Sequence, residues 1–104
     1  MNLSRLQKYI LKKAWESKNP RVSRDIFDSF YNFIKDPPSQ KIRANIITKS
    51  MERLISRGLI AGFGEKTQHK LFIQYIRLTP LGRKTARQLL GTQSEFPFIK
   101  KLRQ

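Results

Sequence analysis

Three glycines stand close together in the middle of the chain: Gly58, Gly62 and Gly64. A glycine-rich loop followed by lysine can cradle a nucleotide phosphate, because its backbone N–H groups approach the anion closely. A P-loop needs one residue more between its two glycines, and Phe63 stands where lysine should follow Gly62. A dinucleotide-binding loop needs a third glycine where Thr67 stands. The spacing therefore excludes both nucleotide-binding motifs.

Other catalytic combinations are equally poor. His69 is the only histidine and there is no cysteine, so an imidazole or thiolate metal site is not expected. Asp25 and Asp28 are spaced like an acid–base pair, but in the first turns of a helix acidic residues are ordinary. Three hydroxyl residues precede predicted helices, where they act as N-caps: Ser23, Ser39 and Thr79. We predict no enzymatic activity and no cofactor.

Charge is the strongest compositional feature of the chain. Its 104 residues include 22 Lys and Arg but only 7 Asp and Glu, which gives a formal charge of +15. A small soluble domain more often carries a net charge of about 2–8. So many like charges repel one another within a compact fold, and this favours a polyanionic partner. Nucleic acid is the leading candidate. The absence of cysteine fits an intracellular protein, and no apolar run is long enough to cross a membrane. For a protein that binds nucleic acid, we therefore expect a cytoplasmic, nucleoid-associated location and no membrane partner.

The hydrophobic pattern predicts one mainly α domain with a small β-hairpin. The expected helices are 4–17, 23–34, 39–57 and 79–90, and the expected strands are 59–63 and 70–78. Val22 is expected in a short extended link, Gly58 at the end of the third helix and Gly91 at the end of the last. The predicted domain is 1–91, followed by a basic tail, 92–104.

Periodicity also predicts which residues are buried. In the second helix the buried side is expected to comprise Ile26, Phe27, Phe30, Phe33 and Ile34. In the third helix the inward side is expected to comprise Ala44, Ile47, Met51, Leu54 and Ile55. The outward side comprises Lys41, Ile42, Asn45, Thr48, Lys49, Glu52 and Arg53. In the second strand, alternation places Phe72 with Ile76 and Leu78, and Ile73 with Tyr75 on the other face.

Two motifs resemble those of small winged helix-turn-helix regulators of the MarR-like and PadR-like kind. The segment MERLISRGLI, 51–60, is similar to the end of the family's recognition helix, and IRLTPLGR, 76–83, is similar to its strand-to-helix junction. The resemblance covers roughly residues 4–90. One departure is the link 36–39, which contains two prolines and is longer than the compact turn of a standard helix-turn-helix.

The resemblance implies sequence-specific binding of double-stranded DNA by a transcriptional regulator. The third helix would enter the major groove, and the residues expected to contact DNA are Lys41, Ile42, Asn45, Thr48, Lys49 and Arg53. The hairpin would be the wing, with phosphate or minor-groove contacts expected from Lys66, Gln68, His69 and Lys70. The first and last helices are the expected surface for a homodimer.

Two other functions remain compatible with the sequence. Winged helices also bind RNA or assemble ribonucleoproteins, and net charge does not distinguish the two polymers. The same fold can serve as an adaptor that binds protein. Competition between duplex DNA and structured RNA at matched salt separates the first of these functions from DNA regulation. A salt-independent protein partner would favour the second.

Overall fold

The computed structural model describes residues 2–94, and the side chains of residues 2–90. The elements follow one another as α1 (Arg5–Glu16), β1 (Val22–Ser23), the 3₁₀ helix η1 (Arg24–Phe33), α2 (Gln40–Ser56), β2 (Ile60–Lys66), β3 (Leu71–Leu78) and α3 (Pro80–Ser94). The predicted fold class, mainly helical with a small antiparallel sheet, is confirmed.

Side-chain caps fix where the helices begin. The Ser4 hydroxyl accepts a hydrogen bond from the Gln7 backbone N–H at 3.1 Å, and the Gln7 side chain accepts one in return from the Ser4 N–H at 2.8 Å. This reciprocal pair is the predicted capping box. The Ser39 hydroxyl caps α2, and the Thr79 hydroxyl accepts from the first turn of α3. The predicted starts of α1, α2 and α3 are thereby confirmed.

Gly58 ends α2 and directs the chain into β2. Its φ is +75°, in the left-handed region that favours glycine. The Gly58 N–H donates to the Ile55 carbonyl at 2.9 Å, and the Leu59 N–H donates to the Leu54 carbonyl at 3.0 Å. These two bonds form a Schellman motif. The glycine thus has the structural role that the sequence predicted.

The sheet has the strand order β1–β3–β2 and is antiparallel throughout. Phe63 pairs with Tyr75, whereas the next residue of β2, Gly64, pairs with Ile73. Gln74 is therefore an extra residue in β3, a β-bulge that reverses the side-chain alternation. As a result Ile73 is buried with Ile76, and the predicted placement of Phe72 on their side is wrong, since its side chain is 49% exposed.

One hydrophobic core lies between the three α-helices, η1 and the inner side of the sheet. Its fully buried large side chains include Ile10, Leu11, Phe27, Met51, Leu54, Leu59, Ile60 and Ile76. α1 and α2 each contribute one side, and α3 contributes the half-buried Leu89. β3 contributes Ile73, Ile76 and Leu78. The core therefore fixes α2 against the rest of the molecule along one side and leaves its other side in solvent.

The second predicted helix is a 3₁₀ helix, and its predicted buried side is partly wrong. Phe27 is buried, but Ile26 is 45% exposed and Phe33 is 78% exposed, while Tyr31 is buried instead. In a helix with three residues per turn, Phe27 and Tyr31 lie on adjoining sides and Ile26 lies on the third side, where it is exposed. Phe33 is the last residue of η1. The apolar residue type of Ile26 and Phe33 therefore did not indicate burial.

The last helix continues beyond its predicted end. α3 runs through Gly91 to Ser94, so glycine does not terminate it. Most of the predicted tail, residues 95–104, lies outside the described residues. The predicted domain boundary at residue 91 stays a prediction.

Replacing Gly82 is expected to destabilise the fold, because a Cβ there would overlap the carbonyl oxygen of Leu59. The same carbonyl accepts a hydrogen bond from the Thr79 N–H at 3.1 Å, which holds the start of α3 against the end of α2. We expect Gly82→Ala to lower the free energy of unfolding by about 1–3 kcal/mol in urea denaturation. Lys84→Ala, an exposed change on the same helix, is the control. Equal stability of the two variants would contradict the close approach.

Candidate nucleic-acid interface

The outward side of α2 presents a polar and cationic surface to solvent. Ile47, Met51 and Leu54 on its other side are buried in the core. Five predicted site residues on the outward side are exposed and are here called the α2 face: Lys41, Ile42, Asn45, Lys49 and Arg53. Glu52, also predicted to face outward, is exposed among them and is the one acidic side chain on α2. The polar side chains of the α2 face can donate hydrogen bonds to base edges or phosphates, and Ile42 can contact a thymine methyl group. The structure therefore places these five predicted site residues on one side of one helix.

Thr48 does not belong to the α2 face, and its predicted outward position is wrong. Its side chain is only 9% exposed, and its hydroxyl accepts a hydrogen bond from the Arg24 guanidinium at 2.7 Å. Thr48 lies one helical turn after Ala44, on the flank of α2 that faces the sheet. Ala44, predicted to face inward, is exposed instead. Thr48 is covered by the Arg24 guanidinium, whereas the apolar contacts of α2 centre on Ile47, Met51 and Leu54 and do not cover Ala44.

Arg24 joins three elements and was not found by sequence reasoning. Besides Thr48, its guanidinium donates to the Ala44 carbonyl of α2 at 3.0 Å and to the Ile73 carbonyl of β3 at 3.1 Å. The residue itself begins η1. A guanidinium has five N–H donors in a fixed planar arrangement, so it can hold several carbonyl groups at once. Arg24 therefore fixes α2 relative to the hairpin.

A second arginine fixes the long link before α2. The Arg43 guanidinium donates to the Asp28 carboxylate at 2.8 Å and to the Pro38 carbonyl at 2.8 Å. Within residues 2–94 the Arg43–Asp28 contact is the one ion pair. Burial raises the pKa of the neighbouring Tyr31, and the Asp28 charge adds to that increase while Arg43 opposes it. Arg43 thus orients the first turn of α2 despite the unusual length of the link.

The four-residue tip of the hairpin, Thr67–Lys70, is organised around one hydroxyl. The Thr67 side chain accepts hydrogen bonds from the backbone N–H groups of His69 and Lys70, at 3.4 and 3.1 Å. Gln68, His69 and Lys70 are exposed at this tip. Lys66 is exposed too, but it is the last residue of β2 and pairs with Leu71 rather than lying in the turn. β2 extends three residues further than predicted, β3 begins one residue later, and the tip is shorter than predicted.

The hairpin and α2 are held close together at the base of the hairpin. A Cβ at Gly62 would come within 2.9 Å of the Ile55 Cδ1 atom, which shows how tightly β2 approaches the helix. Arg24 ties β3 to the same helix. The α2 face and the base of the hairpin therefore belong to one packed unit.

The described residues show little that favours other chemistry. No group of three or more His, Cys, Asp or Glu lies close enough to hold a metal ion within residues 2–94. None of the helices described is both long and apolar enough to cross a bilayer.

Comparison with solved structures identifies the fold. The chain superimposes on the adhesin competence repressor AdcR of Streptococcus pyogenes with a TM-score of 0.60, at 20% identity over 88% of this chain. It superimposes on ZitR of Lactococcus lactis with a TM-score of 0.58, at 16% identity over 89% of this chain. The chain adopts the winged helix-turn-helix fold. In that fold the third helix is followed by a β-hairpin called the wing, and here these two elements are α2 and the β2–β3 hairpin.

The chain matches only part of the length of these solved structures. The chain spans 58% of the AdcR chain and 54% of the ZitR chain. No family model matches this sequence, and no curated protein does. The comparisons therefore show the fold alone.

Proposed function

We propose that the protein binds double-stranded DNA in a sequence-specific manner and regulates transcription, with α2 in the major groove. One observation carries the proposal: the α2 face is exposed, polar and cationic, and none of its cations is in an ion pair within the described residues. The major groove of B-DNA is about 12 Å wide and admits an α-helix. AdcR, which shares the fold, is named as a repressor. No chemical step is involved; the protein acts by occupying its site.

The residues of the α2 face divide by the contacts that their side chains can make. Asn45 can pair with adenine through two hydrogen bonds, and Lys49 and Arg53 can contact guanine or a phosphate. Ile42 suits a thymine methyl group, and Lys41 at the start of the helix suits the backbone. Thr48 makes no direct contact in this proposal. Its role is to receive Arg24 and so position the helix.

The wing contacts the phosphate backbone or the minor groove in this proposal. Lys66 and Lys70 supply charge, and Gln68 and His69 supply hydrogen-bonding groups at the exposed tip. The bonds to Thr67 hold the turn in shape without using these side chains. Wing contacts of this kind contribute to affinity more than to sequence preference.

Loss of a cation from the α2 face should weaken duplex binding more than loss of a cation elsewhere. We expect Lys49→Ala and Arg53→Ala each to weaken binding of a preferred duplex by roughly 5- to 150-fold, as for a base contact worth about 1–3 kcal/mol. Lys13→Ala is the control, since its ammonium lies 5.4 Å from the Tyr9 ring on α1. Gel-shift titrations at fixed salt measure the difference.

Equal losses in all three variants would reject α2 as the reading helix and leave only a general effect of net charge. The same titrations with structured RNA as competitor, at matched salt, distinguish a DNA-binding protein from an RNA-binding one. We expect the duplex DNA to compete more strongly.

A homodimer through α1 and α3 is part of the proposal. These two helices pack on each other and leave Leu89 and Leu90 half-buried at a shallow groove that Tyr9 and Phe30 also line. Tyr9 is engaged internally, since its hydroxyl lies 2.6 Å from that of Ser29. The apolar segment FPFI, 96–99, is a further candidate for the dimer contact, and it lies outside the described residues.

Sedimentation equilibrium should give twice the monomer mass. Leu90→Arg should give the monomer mass, because it adds a cation to a groove that Arg5, Lys8 and Lys12 already line. A monomer for the unaltered protein would remove the dimer from the proposal without affecting the α2 face.

A further inference from the structure

The outer side of the sheet, which faces away from α2, carries a set of rings and guanidinium groups that duplex binding does not use. They are Arg21, just before β1, Phe63 on β2, and Phe72, Tyr75 and Arg77 on β3; together they are called the sheet platform. Phe72 is 49% exposed and Tyr75 is 42% exposed. Large exposed rings beside unneutralised cations are unusual on a surface without a partner.

The bulge at Gln74 assembles the platform. In an uninterrupted strand, Phe72 and Tyr75 would point to opposite sides, because they are three residues apart. Here Phe72, Tyr75 and Arg77 pair with three alternate residues of β2, which are Glu65, Phe63 and Ala61 in the same order. Alternate residues of one strand face the same side, so Phe72, Tyr75 and Arg77 share the outer side. The bulge thus gathers both rings and one guanidinium on a single surface.

The guanidinium groups stack against the rings. The Arg21 guanidinium carbon lies 4.5 Å from the centre of the Phe63 ring and 6.0 Å from that of Tyr75. The Arg77 guanidinium carbon lies 5.7 Å from the centre of the Phe63 ring. Stacking of this kind holds a guanidinium in a defined orientation while its N–H groups stay available for hydrogen bonds. Lys70 adds a third cation beside Phe72, at 5.5 Å.

Two of these cations, Arg21 and Arg77, lie opposite each other. Val22 pairs with Ile76, so the antiparallel register places Arg21 opposite Arg77. Like charges directly opposite each other on a sheet destabilise it. Neither arginine forms an ion pair within residues 2–94. Among the described residues of these strands, Glu65 is the one acidic residue on this side, and it lies opposite Phe72, towards the other end of the hairpin. An anionic partner would relieve the repulsion between the two arginines.

We propose that the sheet platform binds single-stranded nucleic acid, with phosphates on Arg21 and Arg77 and bases stacked on Tyr75 and Phe72. Surfaces that bind single strands combine a cationic track with rings on which bases stack. An acidic peptide would satisfy the guanidinium groups but leave the exposed rings without a function. The platform lies on the opposite side of the sheet from Ile73 and Ile76, which face the core and α2. The inference therefore does not depend on the proposed role of α2.

Fluorescence anisotropy of the full chain with labelled oligothymidylate and oligouridylate of about 12 nucleotides tests the inference. We expect Tyr75→Ala to weaken binding by roughly 5- to 150-fold, since stacking on one ring is worth about 1–3 kcal/mol per base. Tyr75→Phe keeps the ring and should bind within about twofold of the unaltered protein. Arg77→Ala should reduce the slope of log affinity against log salt concentration by about 0.7. Lys84→Ala, exposed on α3, is the charge control.

Duplex binding by the same variants separates this inference from the proposed function. The inference is supported if Tyr75→Ala loses single-strand binding but keeps duplex binding. It is equally supported if the unaltered protein binds no duplex and Tyr75→Ala still loses single-strand binding. Equal single-strand affinity of Tyr75→Ala and Tyr75→Phe would overturn it. Binding of labelled polyglutamate with the same dependence on Tyr75 would also overturn it, in favour of an acidic protein partner. Thermal unfolding of each variant shows whether a lost signal reflects lost folding.

Discussion

Raising the salt concentration from about 50 to about 200 mM is expected to weaken duplex DNA binding by about 10³–10⁵-fold. The reason is the release of counterions from DNA when cationic side chains replace them. The expectation assumes that about 6–10 phosphates are neutralised. With a formal charge of +15 and a single internal ion pair in the described residues, the protein has enough exposed cations for contacts of this number.

The salt slope also separates structural from DNA-contacting cations. Lys66→Ala and Lys70→Ala should each reduce the slope of log affinity against log salt by about 0.9, as expected for the loss of one phosphate contact. Arg43 is already neutralised by Asp28, so Arg43→Lys should leave the slope nearly unchanged. Gel-shift titrations over five salt concentrations supply these slopes. An affinity that does not change with salt would indicate an adaptor that binds protein rather than nucleic acid.

Arg24→Met is expected to lower the free energy of unfolding by about 2–4 kcal/mol. The variant keeps most of the side-chain length but removes the three hydrogen bonds to Ala44, Thr48 and Ile73. Hydrogen bonds from a charged donor contribute about 1.5–3 kcal/mol each, and we take less than the sum because Arg24 is only half-buried. Urea denaturation measures the loss. Arg83→Met, an exposed change on α3, should cost less than about 0.5 kcal/mol.

A double-mutant cycle tests whether Arg24 acts through Thr48. Thr48→Val alone should destabilise the protein by about 1 kcal/mol, and it should add little in the Arg24→Met background because their shared hydrogen bond is already lost. Because Arg24 also holds the hairpin to α2, Arg24→Met should weaken duplex binding even at temperatures where the variant is folded. Additive stability losses would show that the contact seen between the two side chains contributes nothing.

Features that depend on neighbouring residues were predictable from the sequence. The caps at Ser4, Ser39 and Thr79 and the glycine stop at Gly58 involve residues within a few positions of one another. Their chemistry is therefore visible in the order of the residues. The same local signals delimited α2 well enough for five of its six predicted site residues to be found together on its exposed side.

Features that depend on distant residues were not predictable. Thr48 has an outward helical position by residue type and pattern, and only the approach of Arg24, 24 positions earlier, shows that it is buried. The bulge at Gln74 depends on the pairing of two strands, so alternation along β3 alone assigned Phe72 to the wrong side. Ile26 is exposed although its residue type favours burial. Which side of η1 is covered depends on the elements that pack against it, and the order of residues does not show these contacts.

The reading of base pairs by α2 can be tested most directly by random-duplex selection, carried out in parallel with the unaltered protein and with Asn45→Ala. The substitution leaves the net charge unchanged, so it alters base recognition without altering electrostatic attraction. We expect an enriched inverted repeat whose half-sites lie about one helical turn apart, with loss of preference for one adenine in each half-site of the variant. An unchanged preferred sequence in the variant, or no enriched sequence for the unaltered protein, would contradict base recognition by the exposed side of α2.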